Sequence, residues 1–280
     1  MIYNVSMLKI GLIGLGTIGK ALVKAIADGT AGQTGLSAVF VRPPSKAKAI
    51  EFLQFVGLEH VLVTDDFTAF LQTDISLVVE AAGQDAVRSY ASTSLANGKD
   101  LLICAIGAFT DDALFSRLCE LAQQNNKRLI IPSGALAGID ALAGAALAGI
   151  DAVVIATRKP PSAWYGTPAE NMVNLAEITE HPVCLFNGSA RDAARLFPSN
   201  VNVAATLAYA GIGLDRTTAR IYADPTIARN VHQISIQGKC GEINIEVAGL
   251  PSPDNPRTSA LTPYSIIKTI RNLTAHFIIG

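Results

Sequence analysis

Charge is scarce in this chain. Of its 280 residues only 16% are Asp, Glu, Lys or Arg, against about 25% in an average domain. The 22 basic and 23 acidic residues nearly cancel, so the basic surplus that marks a nucleic-acid binder is missing. Cysteine is rare as well. Cys104, Cys119, Cys184 and Cys240 stand far apart with no CxxC pair, which argues against a zinc knuckle or a dense disulfide framework. The expectation is no metal, and reduced, partly buried thiols in the cytoplasm. Residues 1–7 lack the basic start of a signal peptide. Long uninterrupted apolar runs are also lacking. The most apolar stretch, 129–156, is broken by Pro132, Asp140 and Asp151, whereas a membrane span needs about 20 predominantly apolar residues. It reads instead as strand, turn, small-residue helix and strand, so no membrane partner is expected. What is plentiful is hydrophobic sequence, at 50%, which excludes disorder. At about 100–200 residues per domain the length suggests two domains.

The first half alternates short apolar runs (8–13, 36–41, 61–63, 75–81, 100–106 and 129–131) with helix-length segments, clearest at 17–27, 86–97 and 111–125. Continuous apolar strands between helices indicate a parallel sheet covered on both faces. The second half differs. Strands are expected at 151–157, 183–187, 217–222, 231–237 and 242–247, with helices at 189–197 and 201–209. Gly238 and Gly241 bracket a two-residue hairpin turn. Ile243, Ile245 and Val247 alternate with Asn244 and Glu246, a half-buried antiparallel pattern. The fold class is therefore α/β. A Rossmann-type doubly wound sheet is expected over 1–135, and an α+β substrate and dimerisation domain with a largely antiparallel, open-faced sheet over 136–258. A helix within 259–280 should pack back on the first domain.

Gly14-Leu15-Gly16-Thr17-Ile18-Gly19 follows the first strand and opens the first helix. Gly14 permits the tight turn, Gly16 lets a pyrophosphate approach the backbone, and Gly19 allows close helix–strand packing. Thr17 and Ile18 bring the first free N–H groups of the helix to the phosphate. The acidic residue that commonly holds the adenine ribose, about 20 positions further on, is absent. Arg42 stands there instead, followed by Ser45 and Lys46. A guanidinium at that place suits a 2′-phosphate, although a merely solvated arginine is the competing reading. The prediction is that NADP is accepted and preferred to NAD.

Of four histidines, His60, His181 and His276 suggest no chemistry. His232 shares the apolar face of its strand with Ile234 and Ile236. It is either a satisfied core residue or an acid/base facing a substrate. Asn202, at the start of its helix, can bind a carboxamide or cap the helix. The glycine motif, Ile131-Pro-Ser-Gly-Ala135, Thr157-Arg-Lys-Pro-Pro161, Asn200-Val-Asn-Val-Ala-Ala205, Asp224-Pro225, Asn230-Val-His232 and Asn255-Pro-Arg-Thr-Ser259 occur in that order. In this the chain resembles the L-aspartate dehydrogenases along nearly its whole length.

The resemblance implies a homodimeric enzyme that oxidises L-aspartate with NAD or NADP, through iminoaspartate, to oxaloacetate and ammonia, and that can feed iminoaspartate to NAD biosynthesis. It implies His232 as the active-site residue, and Ala135 and Asn202 as cofactor contacts. Two substrate carboxylates call for cations, and Arg158 and Lys159 at a strand end are the candidates. Asn255 and Thr258 could add hydrogen bonds, though turn roles suit them as well. Two alternatives stand beside this reading. One is a reductase of related build, such as one acting on dihydrodipicolinate, which would carry a His-His pair that this chain lacks. The other is a non-catalytic NADP-binding sensor.

Overall fold

The computed structural model describes residues 7–197, 201–253 and 255–279. They fall into two compact units, 1–132 with 263–280, and 133–262. The first unit begins β1 (Leu8–Ile13), α1 (Thr17–Ala27), β2 (Thr34–Phe40), α2 (Lys46–Phe55), β3 (Leu62–Thr64), α3 (Phe67–Leu71) and β4 (Leu77–Glu80). It continues with α4 (Gln84–Ala96), β5 (Asp100–Ile103), α5 (Asp112–Gln124) and β6 (Leu129–Ile130). Its six strands pair in parallel in the order β3-β2-β1-β4-β5-β6. That is the doubly wound dinucleotide-binding order, whose ligands sit beyond the carboxyl ends of the strands. The central strands need no polar side, because helices cover both faces. Ile10, Leu12, Leu77, Val79 and Leu102 are fully buried.

The second unit contains α6 (Ile139–Ala148), β7 (Ile150–Lys159), β8 (Val183–Ser189), α7 (Ala190–Leu196), α8 (Val201–Ala210), β9 (Thr217–Ala223), β10 (Asn230–Gly238) and β11 (Gly241–Gly249). A short pair, β12 (Pro251–Ser252) and β13 (Asn255–Ser259), follows. The main sheet runs β11-β10-β7-β9-β8. Three of its pairings are antiparallel, and β7 with β9 is parallel. The last helix, α9 (Leu261–Asn272), buries Ile266, Ile267 and Ile270 in the same core as Ile10, Leu12 and Leu22. No helix among the described residues is long and apolar enough to cross a membrane.

Element by element, α1 and β1 have the expected ends. The helices α2 and α3 are not marked by the apolar pattern, since α2 buries only Ala49 and Leu53 and α3 only Phe70. The run at 100–106 ends its strand at Ile103 and turns into a short 3-10 segment, Ile106–Thr110. The last helix stops at Asn272, so the apolar residues Phe277 and Ile279 lie beyond it and are exposed.

Backbone packs closely on backbone where α1 crosses the end of β1. A side chain on Gly19 would strike the carbonyl oxygen of Gly14, and only backbone could yield. Gly19→Ala is expected to destabilise the first unit by about 1–3 kcal/mol, as overpacking does. A denaturant titration would read this as a lowered midpoint.

Candidate active site

Beyond the carboxyl ends of β1, β2 and β4 lies a cavity of about 560 Å³, within the range of small-molecule sites. Its wall includes Gly14, Leu15 and Gly16 from the first turn, and Ala81, Ala82 and Gly83 from the loop after β4. Gly14 holds φ at +91°, and a Cβ there would sit 2.7 Å from that of Ala82. A Cβ on Gly16 would meet nothing within 4 Å, so the backbone there is open to an incoming group. Thr17 and Ile18 form the start of α1, whose first turn carries no acidic residue. The helix end therefore stays suited to an anion.

Arg42 and Ser45 line the same cavity and are exposed. Lys46 does not line it. Its Nζ lies 2.8 Å from Asp65 Oδ1, and this contact holds the Asp65 carboxyl below its ordinary range. The lysine of this segment that does line the wall is Lys48, which the motif left unremarked. Three lining cations (Lys20, Arg42 and Lys48) stand against one lining acid, Asp85, which is 3.2 Å from Arg88. The residues present thus fit a phosphorylated dinucleotide.

In the second unit, β10 and β7 set His232 directly opposite Thr157. Thr157 Oγ1 and His232 Nδ1 share a hydrogen bond of 3.0 Å. His232 is 7% exposed. Burial, with the charge of Lys159 adding to it, lowers its pKa to about 4, so the ring is neutral near pH 7. Lys159 lies two residues beyond Thr157, on the same face of β7. Burial brings its ammonium down to about 8, and its Nζ lies 5.1 Å from the centre of the Trp164 ring. Trp164 is itself fully buried, with Nε1 donating to Tyr222 O at 3.2 Å.

Arg158 points the other way. Alternation puts it on the sheet face opposite His232, where its Nη1 is 3.2 Å from Asp224 Oδ2 and its Nε donates to Gln233 at 3.1 Å. The guanidinium also lies over Tyr222, 4.5 Å from the ring centre. Burial alone would raise the Asp224 carboxyl, but hydrogen bonds from Thr226 and Arg158 prevail and hold it below its ordinary range. The two adjacent cations therefore do not converge on one substrate, and Arg158 does not join His232. Ala135 lies in the turn 133–136, closed by Leu136 N donating to Ser133 O at 3.2 Å. Asn202 sits inside the first turn of α8 rather than ahead of it, with an exposed side chain. Asn255 Nδ2 donates to Thr258 Oγ1 at 3.2 Å, a contact within the β13 segment. Among the described residues, no three His, Cys, Asp or Glu gather as metal ligands.

Sequence reasoning did not single out Thr157, Asp224 and Trp164, although the first two stand in the quoted motifs. It also passed over Glu80, whose signal was a charge closing an otherwise apolar strand.

A doubly wound unit with a dinucleotide-sized cavity, joined to a sheet unit that buries a neutral histidine near a lysine, defines the two-domain dehydrogenases. The comparisons sharpen this. The family described as "Aspartate dehydrogenase, C-terminal" matches residues 140–273, and "Homoserine dehydrogenase, NAD binding domain" matches 14–132. An L-aspartate dehydrogenase of Methanosarcina barkeri is 39% identical over 98% of this chain and 100% of its own. One of Ralstonia pickettii is 38% identical over 95% and 97%. The crystal structure of aspartate dehydrogenase from Thermotoga maritima superposes with a TM-score of 0.76 at 27% identity, covering 98% of this chain and 99% of that one. The chain belongs to the L-aspartate dehydrogenase family. Neither the reductase nor the sensor alternative is favoured.

The histidine's protonation has a consequence for stability. Unfolded, the ring titrates near 6.5, and folded near 4. Between those values the unfolded chain binds more protons, so stability falls as pH drops through that window, by roughly 3 kcal/mol in all. Denaturant midpoints measured from pH 7 to pH 4 should show this slope, and His232→Gln should flatten it. Equal slopes in the two proteins would contradict a depressed histidine.

Proposed function

We infer that this chain runs its family's reaction at a centre built on His232: NAD(P)-dependent oxidation of L-aspartate to iminoaspartate, then hydrolysis to oxaloacetate and ammonia. The observation that carries it is a buried neutral imidazole, held by Thr157 on the sheet face that also bears Lys159. A neutral ring can take a proton from the substrate ammonium or from the attacking water, and return it to the departing amine. Lys159 supplies a cation for a substrate carboxylate. An anion there also offsets the lysine charge that adds to burial in keeping His232 unprotonated, and so raises the ring's proton affinity. Arg158 serves indirectly, by fixing Asp224 and the end of β7.

When bound, NAD(P) supplies the hydride acceptor. Gly16, Thr17 and Ile18 would hold its pyrophosphate with main-chain N–H groups, while Gly14, whose own N–H donates to Phe40 O at 2.9 Å, and Gly19 let the turn pack closely. Ala135 and Asn202 are assigned as further cofactor contacts. Arg42, with Ser45 and Lys48, would bind a 2′-phosphate, so NADP is the preferred cofactor. The chain acts as a cytoplasmic homodimer in this reading. The half-exposed face of the second sheet, with the small residues Ala156 and Ser235, supports that state, and sedimentation of a stable monomer at micromolar concentration would overturn it.

Three measurements decide the rest. Nicotinamide absorbance should rise with L-aspartate and NADP, and silence in both directions of the reaction would sink the reading. His232→Ala should cut kcat by about 10²–10⁴-fold, the usual worth of a general acid/base. Arg42→Ala should raise the KM for NADP about tenfold, on the scale of a charge-assisted hydrogen bond, and leave the KM for NAD within about twofold. A strong NAD preference in the unaltered chain would refute the specificity.

A further inference from the structure

The first unit holds a buried carboxylate for which the reaction has no use. Glu80 closes β4 and is 1% exposed. Its Oε1 accepts from Ala82 N at 2.7 Å and Gly83 N at 2.6 Å. Its Oε2 accepts from Ala105 N at 3.0 Å and Cys104 N at 3.3 Å. One side chain therefore gathers four main-chain donors from two loops, those after β4 and after β5. We propose that Glu80 is a positioning residue for the dinucleotide: it fixes the loop on which the glycine turn and the cofactor rest. This builds on the cofactor reading above and adds to it a residue that does not line the cavity.

Three observations carry it. Ala81, Ala82 and Gly83, which follow Glu80 directly, form part of the cavity wall. Gly14 packs so closely on them that a Cβ there would lie 2.9 Å from both Ala81 O and Ala82 Cα, so a shift of this loop displaces the glycine turn. The N–H groups at these two strand ends are already filled by an internal anion. The pyrophosphate is thereby left to the first crossover, where no side chain caps α1. An apolar residue at 80 would leave the N–H groups of Ala82, Gly83 and Ala105 without this acceptor, while Cys104 N keeps Glu80 O at 3.2 Å. A glutamine would satisfy one pair and set its own N–H groups against the other.

The test compares Glu80→Gln and Glu80→Asp with Leu95→Ala, a cavity variant in α4 at a fully buried position. NADPH and NADH affinity is measured by calorimetry on the full chain without substrate. Hydrogen exchange at Ala82, Gly83, Cys104 and Ala105 is read in the same proteins. The expectation for Glu80→Gln is at least tenfold weaker binding of both dinucleotides and faster exchange at the two loops, with the KM for L-aspartate within about twofold. Glu80→Asp, one methylene short of spanning both loops, should fall between. Leu95→Ala should lower the melting temperature and leave dinucleotide affinity unchanged. Affinity unchanged in both Glu80 variants, or lost equally in Leu95→Ala, would overturn the proposal. So would failure of both Glu80 variants to fold, because the residue would then serve folding alone. Absence of dinucleotide binding by the unaltered chain would instead overturn the cofactor reading itself.

Discussion

Where a parallel strand gives way to its crossover, main-chain N–H groups leave the ladder and must find another acceptor. Much of the first unit follows from how three neighbouring crossovers meet that demand. After β4 and β5 the acceptor is internal, the carboxylate of Glu80. After β1 no side chain fills the role, and three glycines bring the backbone close enough for an outside anion to do so. A carboxylate is supplied at two crossovers and withheld at the third, which leaves the start of α1 as the one of the three without a side-chain acceptor. Burial raises the pKa of Glu80 against the pull of those four donors, so the carboxylate is held there at an electrostatic cost.

In the second unit the same scarcity of charge is managed by strand alternation. Arg158 and Lys159 are neighbours in sequence and lie on opposite faces of β7. On one face a chain of polar contacts runs from Asp224 through Arg158 and Gln233 to Glu246, tying the ends of β9, β7, β10 and β11. On the other, Lys159 lies over Trp164 and near His232, where burial depresses both basic groups. A cation with a carboxylate partner is structural here.

What could be read from the sequence follows from the range of the forces involved. The β1–α1 unit was legible because strand, glycine turn and helix are contiguous, and because an apolar run of six residues leaves few alternatives. The α6 segment was legible as a small-residue helix between two strands. By contrast, α2 and α3 bury too few side chains to print a period. The pairing of Lys46 with Asp65 spans 19 positions and that of Arg158 with Asp224 spans 66, so both cations looked available to ligands when only their own segments were considered. Lys48 went unnoticed for the reverse reason, since only the folded course of α2 brings it to the cavity. His232 was found by period-two alternation, but its partner Thr157, 75 residues away, emerges only from strand register. A buried acid such as Glu80 is anomalous in sequence, yet the anomaly does not say which donors it meets.

The depressed histidine and lysine also determine how substrate and protons are coupled. In the unliganded chain burial lowers both basic groups, and the charge of Lys159 lowers His232 further. In the proposed reading, a dicarboxylate arriving beside Lys159 favours the charged lysine and makes a protonated imidazole less costly next to it. Binding and proton uptake are thus linked through one pair of side chains. In that reading the ring is neutral before substrate binds and gains basicity when the substrate's carboxylate lies beside the lysine.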